Sequence, residues 1–412
     1  MQGKEKTIWI INQYASTPET GMGGRHYYLA KELALRGNKV FVFAASFTHL
    51  LRKPVELNCS IDVRDESGFK MVWMEMPEYQ GAHDKRRIFN WLKFGWEIIF
   101  LNKNIKDKPD VIIYSSPSLI GYLGAFLLSR RQNCKLLLEV RDIWPLTLQM
   151  VGGYSDKNVF VKALSFVERF AYRKSDAVIS NLKYAFEHME QKGMERDKFV
   201  WIPNGLDVNE LSSPDRLDDS IADKIPKDKF IIGYVGTLGL ANSVVTLLQA
   251  AEMLKNDDRV AFLIVGGGRE KDSLLRMSEK LGLNNVFFVD PIPKKSVQSI
   301  IKFFDVCYIG SKKVDLYRYG IGANKIPEYM FSGKPIIHSY SGRGDPVSDF
   351  SAGVSIEAEN PRLLKLAILQ YLSMDVTELE RIGRQGRAAA LEYFDYAKLA
   401  EKLDVICDDI NY

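Results

Sequence analysis

Two residues three positions apart, beside a glycine-rich stretch, offer the sharpest chemistry in this chain. In YRYGIGANKIPEYMFSGKPIIHSY, Asn324 and Lys325 open a helix, Glu328 lies one turn in, and Gly333–Lys334–Pro335 stops it before an apolar strand. A first-turn carboxylate can grip two vicinal hydroxyls, as on a ribose, while a lysine meets a phosphate as a point charge. The plainer reading of Glu328 is an acid that favours a helix start. In GYVGTLGLANSV, Gly236 and Gly239 flank Thr237 at a strand end, and Asn242 or Ser243 is placed to cap the next helix. A glycine turn against a helix N-terminus suits a diphosphate. In LIVGGGREKDSL, three glycines follow a strand, and Arg269 and Lys271 come next. Lys271 also fits a solvated helix start. Together these stretches predict a site for a phosphorylated ligand.

Two further loops lie in the first half of the chain. Gly21, Gly23 and Gly24 precede the helical pattern RHYYLAKEL, where the backbone can approach an anion. About ten residues separate the strand from these glycines, and the second strand, FVFAAS, ends without an acid, so a dinucleotide site is disfavoured. The run LLLEVRDIWP ends an apolar strand in Glu139, Arg141 and Asp142, where charge must be paired or used. Asp142 is a candidate to accept the proton of an acceptor hydroxyl, with Arg141 orienting it or keeping it ionised. An Arg–Asp pair that merely organises the loop explains the same residues, and Glu139 is read as structural.

These loops need strands and helices to hold them. TIWIINQY, NKVFVFAAS, DVIIYSS, CKLLLEVRD and SDAVISNL alternate with helical patterns, and KFIIGYVGTL, RVAFLIVGGG, NNVFFVD, DVCYIGS and KPIIHSY repeat the scheme. Such alternation predicts βαβ units and parallel sheets covered on both faces. A chain of 412 residues exceeds one ordinary core. We expect an α/β protein of two doubly wound Rossmann-like domains facing across a cleft: residues 1–204, then 205–390, with 391–412 as a helix packing back toward the first. The Pro/Asn/Asp-rich run around Asn204–Ser213 is the linker. Ligands then belong outside the carboxyl ends of the strands.

Composition narrows the class. The 46% hydrophobic and 26% charged content are those of a soluble globular protein, and a formal charge of +4 gives no reason to expect nucleic acid. Cys59, Cys134, Cys307 and Cys407 are scattered, with neither zinc spacing nor a disulfide framework, which fits a reducing cytoplasm. The N-terminal apolar run is too short for a signal peptide, and nothing approaches the roughly 20 apolar residues of a spanning helix. No metal is predicted, because no DxD closes a strand. The segment DKRRIFNWLKFGWEIIF interleaves Lys85, Arg86, Arg87 and Lys93 with Ile88, Phe89, Trp91, Leu92, Phe94 and Trp96. That is the make-up of an interfacial helix, able to meet anionic headgroups or the diphosphate of a polyprenyl carrier. Packing of Trp91, Leu92 and Ile98 in the core is the competing reading. Arg343–Gly344–Asp345 spells an adhesion tripeptide and is read as chance.

The run PEYMFSGKPII resembles the donor-site helix of family-4 retaining glycosyltransferases, and GMGGRHYYLAKELALRGNKV and IPNGLD are similar to that family in the same order. EVRDIWP, GTLGLANSV and NKIPEYM resemble its branch for O-antigen and capsule acetamido-sugar and fucosamine transfer. The resemblance spans nearly the whole chain. It implies the GT-B fold, a nucleotide-sugar substrate with UDP preferred, and a polyprenyl-linked or other membrane-embedded acceptor. A cytoplasmic protein held peripherally at the inner membrane follows. By position, Glu328 holds the ribose, Gly236–Gly239 faces the diphosphate, and Gly23 and Gly24 close over the phosphates. Thr237, Arg269 and Asn324 join this donor set. Two departures stand out. The family's first glutamate, eight positions before the second, is replaced by Gly320, and its Arg and Lys after the GTL strand are absent. Lys325, Arg269 or Arg318 must then neutralise the leaving diphosphate. Competing expectations are a nucleotide-sugar 2-epimerase of the same fold and a two-lobed solute-binding protein.

Overall fold

The computed structural model describes residues 5–21, 23–81 and 84–409. They form two compact units, one built from the chain up to Pro203 together with the segment from Tyr396 onward, the other from Asn204–Asp395.

The first unit is built on an eight-stranded sheet in the order β3-β4-β2-β1-β5-β6-β7-β8. The strands are β1 (Thr7–Ile11), β2 (Lys39–Ala45), β3 (Ile61–Glu66), β4 (Phe69–Met74), β5 (Val111–Ser115), β6 (Lys135–Val140), β7 (Ala177–Ser180) and β8 (Phe199–Trp201). All neighbours run parallel except the β3–β4 hairpin. That hairpin adds two strands to those that the apolar runs predict. IDVRDE is polar and half exposed, with the look of a loop, and it becomes an edge strand through pairing with FKMVWM. The central strands are apolar throughout because both faces are covered: Ile8, Trp9 and Ile11 are wholly buried. Helix α1 (Arg25–Leu35) covers one face beside the C-terminal helix Tyr396–Asp409, with the Tyr28 and Tyr396 rings stacked 5.2 Å apart. Lys6 fixes that C-terminal helix through Asp404 at 3.0 Å and Asp408 at 2.5 Å.

Helices α2 (Arg86–Ile98) and α3 (Ile120–Gln132) pack against each other at a contact made by glycine. A Cβ on Gly124 would lie 2.1 Å from the carbonyl oxygen of Gly95, so the two backbones touch where any other residue would hold them apart.

The second unit carries six parallel strands in the order β11-β10-β9-β12-β13-β14. They are β9 (Phe230–Val235), β10 (Val260–Val265), β11 (Val286–Val289), β12 (Val306–Gly310), β13 (Ile336–Ser339) and β14 (Gly353–Ile356). Strand order reverses between β1 and β5 in the first sheet and between β9 and β12 in the second. Connections leave such a point in opposite directions and open a crevice at the strand ends, where ligands of this architecture sit. Two doubly wound α/β sheets are therefore observed, as the alternating pattern predicted.

Gly124→Ala is expected to cost about 1–3 kcal/mol by overpacking the α2–α3 contact. A lowered thermal transition of the N-terminal unit, read by circular dichroism, would show it; an unchanged melt would contradict the tight contact.

Candidate functional site

At the β9–β12 reversal the second unit gathers glycine, a cation and a carboxylate. Tyr329 sets the frame: its hydroxyl accepts from the Val235 amide at 2.8 Å and donates to the Val235 carbonyl at 3.1 Å. This clamps the helix Lys325–Ser332 to the end of β9 and brings its first turn over the glycine loops. Lys325 then runs across Gly236, whose φ of +148° and missing side chain are both needed, since a Cβ there would stand 2.3 Å from Lys325 Cε. Its ammonium donates to Asn242 Oδ1 at 2.7 Å and lies 5.2 Å from the centre of the Tyr234 ring. Burial pushes the Lys325 amine down to about 8, with Glu328 pulling the other way. Burial likewise pushes the Glu328 carboxyl above its usual range, offset in part by Lys294.

The two glycine loops close on each other. Leu238 donates to the Gly267 carbonyl at 2.8 Å, and Glu270 donates to the Leu238 carbonyl at 3.0 Å. A Cβ on Gly268 would meet that Leu238 oxygen at 2.4 Å. Thr237 and Gly239 lie in this loop beside Arg269, which is exposed and has no ion-pair partner among the described residues. Lys271 is spoken for by Asp290, as a helix-start residue, and Arg318 by Asp315 at 2.8 Å and the Tyr319 hydroxyl. Asn324 is exposed at the helix start with its side chain uninvolved in capping. The structure thus brings Gly236, Thr237, Gly239, Asn242, Lys325 and Glu328 together. Neither Asn242 nor Ser243 caps the following helix, because Asn242 turns to Lys325 and to the Thr237 carbonyl at 2.9 Å. Gly320 has φ +109° and ψ −179°, a conformation open essentially to glycine alone, so no glutamate side chain fits this backbone. Asp345 caps the helix Pro346–Asp349 and pairs with His338 at 2.8 Å, a structural role for the last residue of the RGD tripeptide.

In the first unit, Gly23 and Gly24 take positive φ values of 66° and 81° immediately before α1; Met22 between Gly21 and Gly23 lies outside the described residues. The first two residues of α1 point inward to Glu139 at the end of β6. Arg25 Nε donates to one carboxylate oxygen at 2.6 Å, while His26 Nε2 at 2.7 Å and Ser115 Oγ at 2.5 Å meet the other. Burial would raise this carboxyl, yet Arg25, His26 and Arg141 hold it well below the usual range. Glu139 is a structural anchor. Arg141 donates its amide to Ser116 Oγ at 2.9 Å, and its guanidinium makes no hydrogen bond to Asp142. The expected orienting pair is therefore absent, and Arg141 acts on Asp142 only through its charge, against a crowding that raises the Asp142 carboxyl. Asp142 itself is exposed.

On α2 the expectation for Trp91 needs correcting. Trp91 is 5% exposed and donates Nε1–H to the Tyr14 hydroxyl at 2.8 Å. At helical spacing Trp91, Phe94 and Ile98 face the core, and Phe89, Leu92 and Trp96 face outward at 61%, 52% and 64% exposure. Arg86 pairs with Asp84 at 2.7 Å, Arg87 lies against the Trp91 ring, and Lys93 pairs with Glu97. Among the described residues no helix is long and apolar enough to cross a membrane.

Comparison with known proteins agrees with this architecture in both units. Residues 20–210 match the model of Glycosyltransferase Family 4, and residues 215–389 match Glycosyl transferases group 1. The chain belongs to this glycosyltransferase family. It is 25% identical over 307 residues, 72% of this chain and 74% of the relative, to the protein named as the colanic acid biosynthesis glycosyl transferase WcaI of Escherichia coli K12. To the capsular polysaccharide biosynthesis glycosyltransferase CapM of Staphylococcus aureus it is 21% identical over 308 residues, 73% of this chain and 76% of that one. The structure of Anabaena HepE in complex with UDP and glucose superposes with a TM-score of 0.67 at 16% identity, covering 98% of this chain and all of that one. This last likeness is one of GT-B fold.

For this glycosyltransferase, Gly236→Ala is expected to displace Lys325, weaken nucleotide binding about tenfold or more, and lower stability by the roughly 1–3 kcal/mol that a side chain costs at this φ. Calorimetric titration with UDP and GDP reads the first and circular dichroism the second. Glu139→Gln, by contrast, leaves Arg25 buried without its carboxylate and should cost about 3–5 kcal/mol of stability; a melt within a degree of wild type would refute the anchor.

Proposed function

We propose that the enzyme transfers a sugar, with retention at the anomeric carbon, from a UDP-sugar to a lipid-linked saccharide in the synthesis of an envelope polysaccharide. The observation that carries this reading is Lys325, a cation held at the β9–β12 reversal by a neutral partner, with Glu328 one turn further along. A diphosphate needs such a charge where it leaves, and backbone N–H groups of the Gly236–Gly239 turn add to it. Glu328 holds the ribose hydroxyls, Asn324 and Thr237 line the donor, and Arg269 is the second cation. The acceptor hydroxyl attacks from the face the leaving group departs, helped by the departing phosphate, with Asp142 in a secondary role as base. UDP is favoured because the fold neighbour HepE is seen in complex with UDP and glucose, and the envelope pathway because WcaI and CapM are named for colanic acid and capsule.

The acceptor side rests on the outer face of α2. Phe89, Leu92 and Trp96 stand out beside Arg86, and α3 next to it exposes Leu127. An apolar stripe flanked by cations suits the headgroup boundary of an anionic bilayer, so the enzyme works peripherally at the cytoplasmic side of the inner membrane.

A panel of UDP- and GDP-sugars, incubated with and without membrane lipid acceptor, tests the reaction. Free nucleotide is expected only when acceptor is present, with the new linkage keeping the donor's anomeric configuration by NMR. An altered donor sugar without acceptor would refute transfer. Asp142→Asn should lower turnover at least tenfold with donor affinity little changed; near wild-type turnover removes its role as base. Wild type should sediment with anionic liposomes at low salt, and replacing Phe89, Leu92 and Trp96 with Asp should abolish this. Failure of the wild type to sediment would rule out the membrane face.

A further inference from the structure

Lys325 is held without a carboxylate, and the way it is held carries a consequence for the donor site. Its Nζ donates to Asn242 Oδ1 at 2.7 Å, while Asn242 Nδ2 donates to the Thr237 carbonyl at 2.9 Å. The same carbonyl accepts the Tyr234 hydroxyl at 2.6 Å. With its NH2 committed to a carbonyl, the amide can present only its oxygen to the ammonium. The carbonyl in turn ties this amide to the strand end, and Gly236 leaves room for the lysine stem.

We propose that Asn242 is the positioning residue of the donor site: a neutral acceptor that fixes the Lys325 ammonium without neutralising it, leaving its whole charge for the leaving diphosphate. A carboxylate at this place would hold the lysine more firmly but compete with the phosphates and repel them. The inference rests on the donor reading above and adds how the site is made without the basic residues that the resemblance leads one to expect after β9.

The groups facing Lys325 are few. Glu328 comes from its own helix, Asn242 from the turn after β9, and the Tyr234 phenol from β9, kept un-ionised by burial. Because burial brings the amine down to about 8 from its ordinary 10.5, the charge is complete well below pH 8 and is lost as pH rises through it. Bound diphosphate favours the protonated form, so nucleotide affinity must fall across the same window.

The test uses the full chain. UDP and GDP are titrated from pH 6.5 to 9.5 into wild type, Asn242→Asp, Asn242→Leu and Asn242→Gln, and the Lys325 amine is followed in the ligand-free proteins by NMR of labelled lysine, assigned with Lys325→Arg. Asn242→Asp should raise the Lys325 titration by a unit or more and weaken nucleotide binding at neutral pH about tenfold. Asn242→Leu should lower the titration, with the alkaline limb of binding following it. Asn242→Gln, which keeps an acceptor, should retain the wild-type limb. Nucleotide binding whose strength and alkaline limb ignore all three variants overturns the positioning role. A wild type that binds no nucleotide at any pH overturns the donor reading itself, a separable result that takes this inference with it.

Discussion

The function proposed for the second unit depends on one constraint: a lysine must be kept charged and open to a ligand at the end of a buried parallel sheet. Water cannot do this alone, because burial favours the neutral amine. The fold answers with a neutral amide, an aromatic face and a carboxylate one turn away. Much around the site serves this arrangement. Tyr329 clamps the helix that carries Lys325 and Glu328, Gly236 gives way to the lysine stem, and Gly268 lets the neighbouring loop close on Leu238.

The first unit solves the opposite problem. There the charge on Glu139 is consumed internally by Arg25, His26 and Ser115, and the result is rigidity. The network links β5, β6 and the start of α1, so the Gly23–Gly24 turn enters the helix at a fixed place. A buried carboxylate held by a guanidinium, an imidazole and a hydroxyl has no access to a substrate hydroxyl. Asp142, three residues on, is exposed.

Much of this was legible in the chain itself. Apolar runs bounded by glycine revealed the strands, and Lys325 and Glu328 were visible because a cation and an acid in the first turn of a helix can meet a phosphate and vicinal hydroxyls. What escaped has physical reasons. IDVRDE makes a strand only because FKMVWM pairs with it, a contact no local pattern encodes. Asn242 looked like a helix cap, and its real partner lies 83 residues away. For Tyr329, nothing in the sequence signals that its hydroxyl bridges to β9. The aromatics of α2 alternate between two faces, and composition alone could not tell Trp91, inside, from Trp96, outside. Gly320 was noticed as a missing glutamate; its backbone shows that the loop has been rebuilt around glycine, so sugar specificity here needs its own explanation.

The most direct check of the central claim is a crystal structure of the chain with UDP or GDP bound. The account predicts the diphosphate within hydrogen-bond reach of Lys325 Nζ and the Gly236–Gly239 amides, with the ribose hydroxyls on Glu328 and Asn242 still holding the lysine. A nucleotide seated elsewhere, or one whose phosphates make no contact with Lys325, would contradict it.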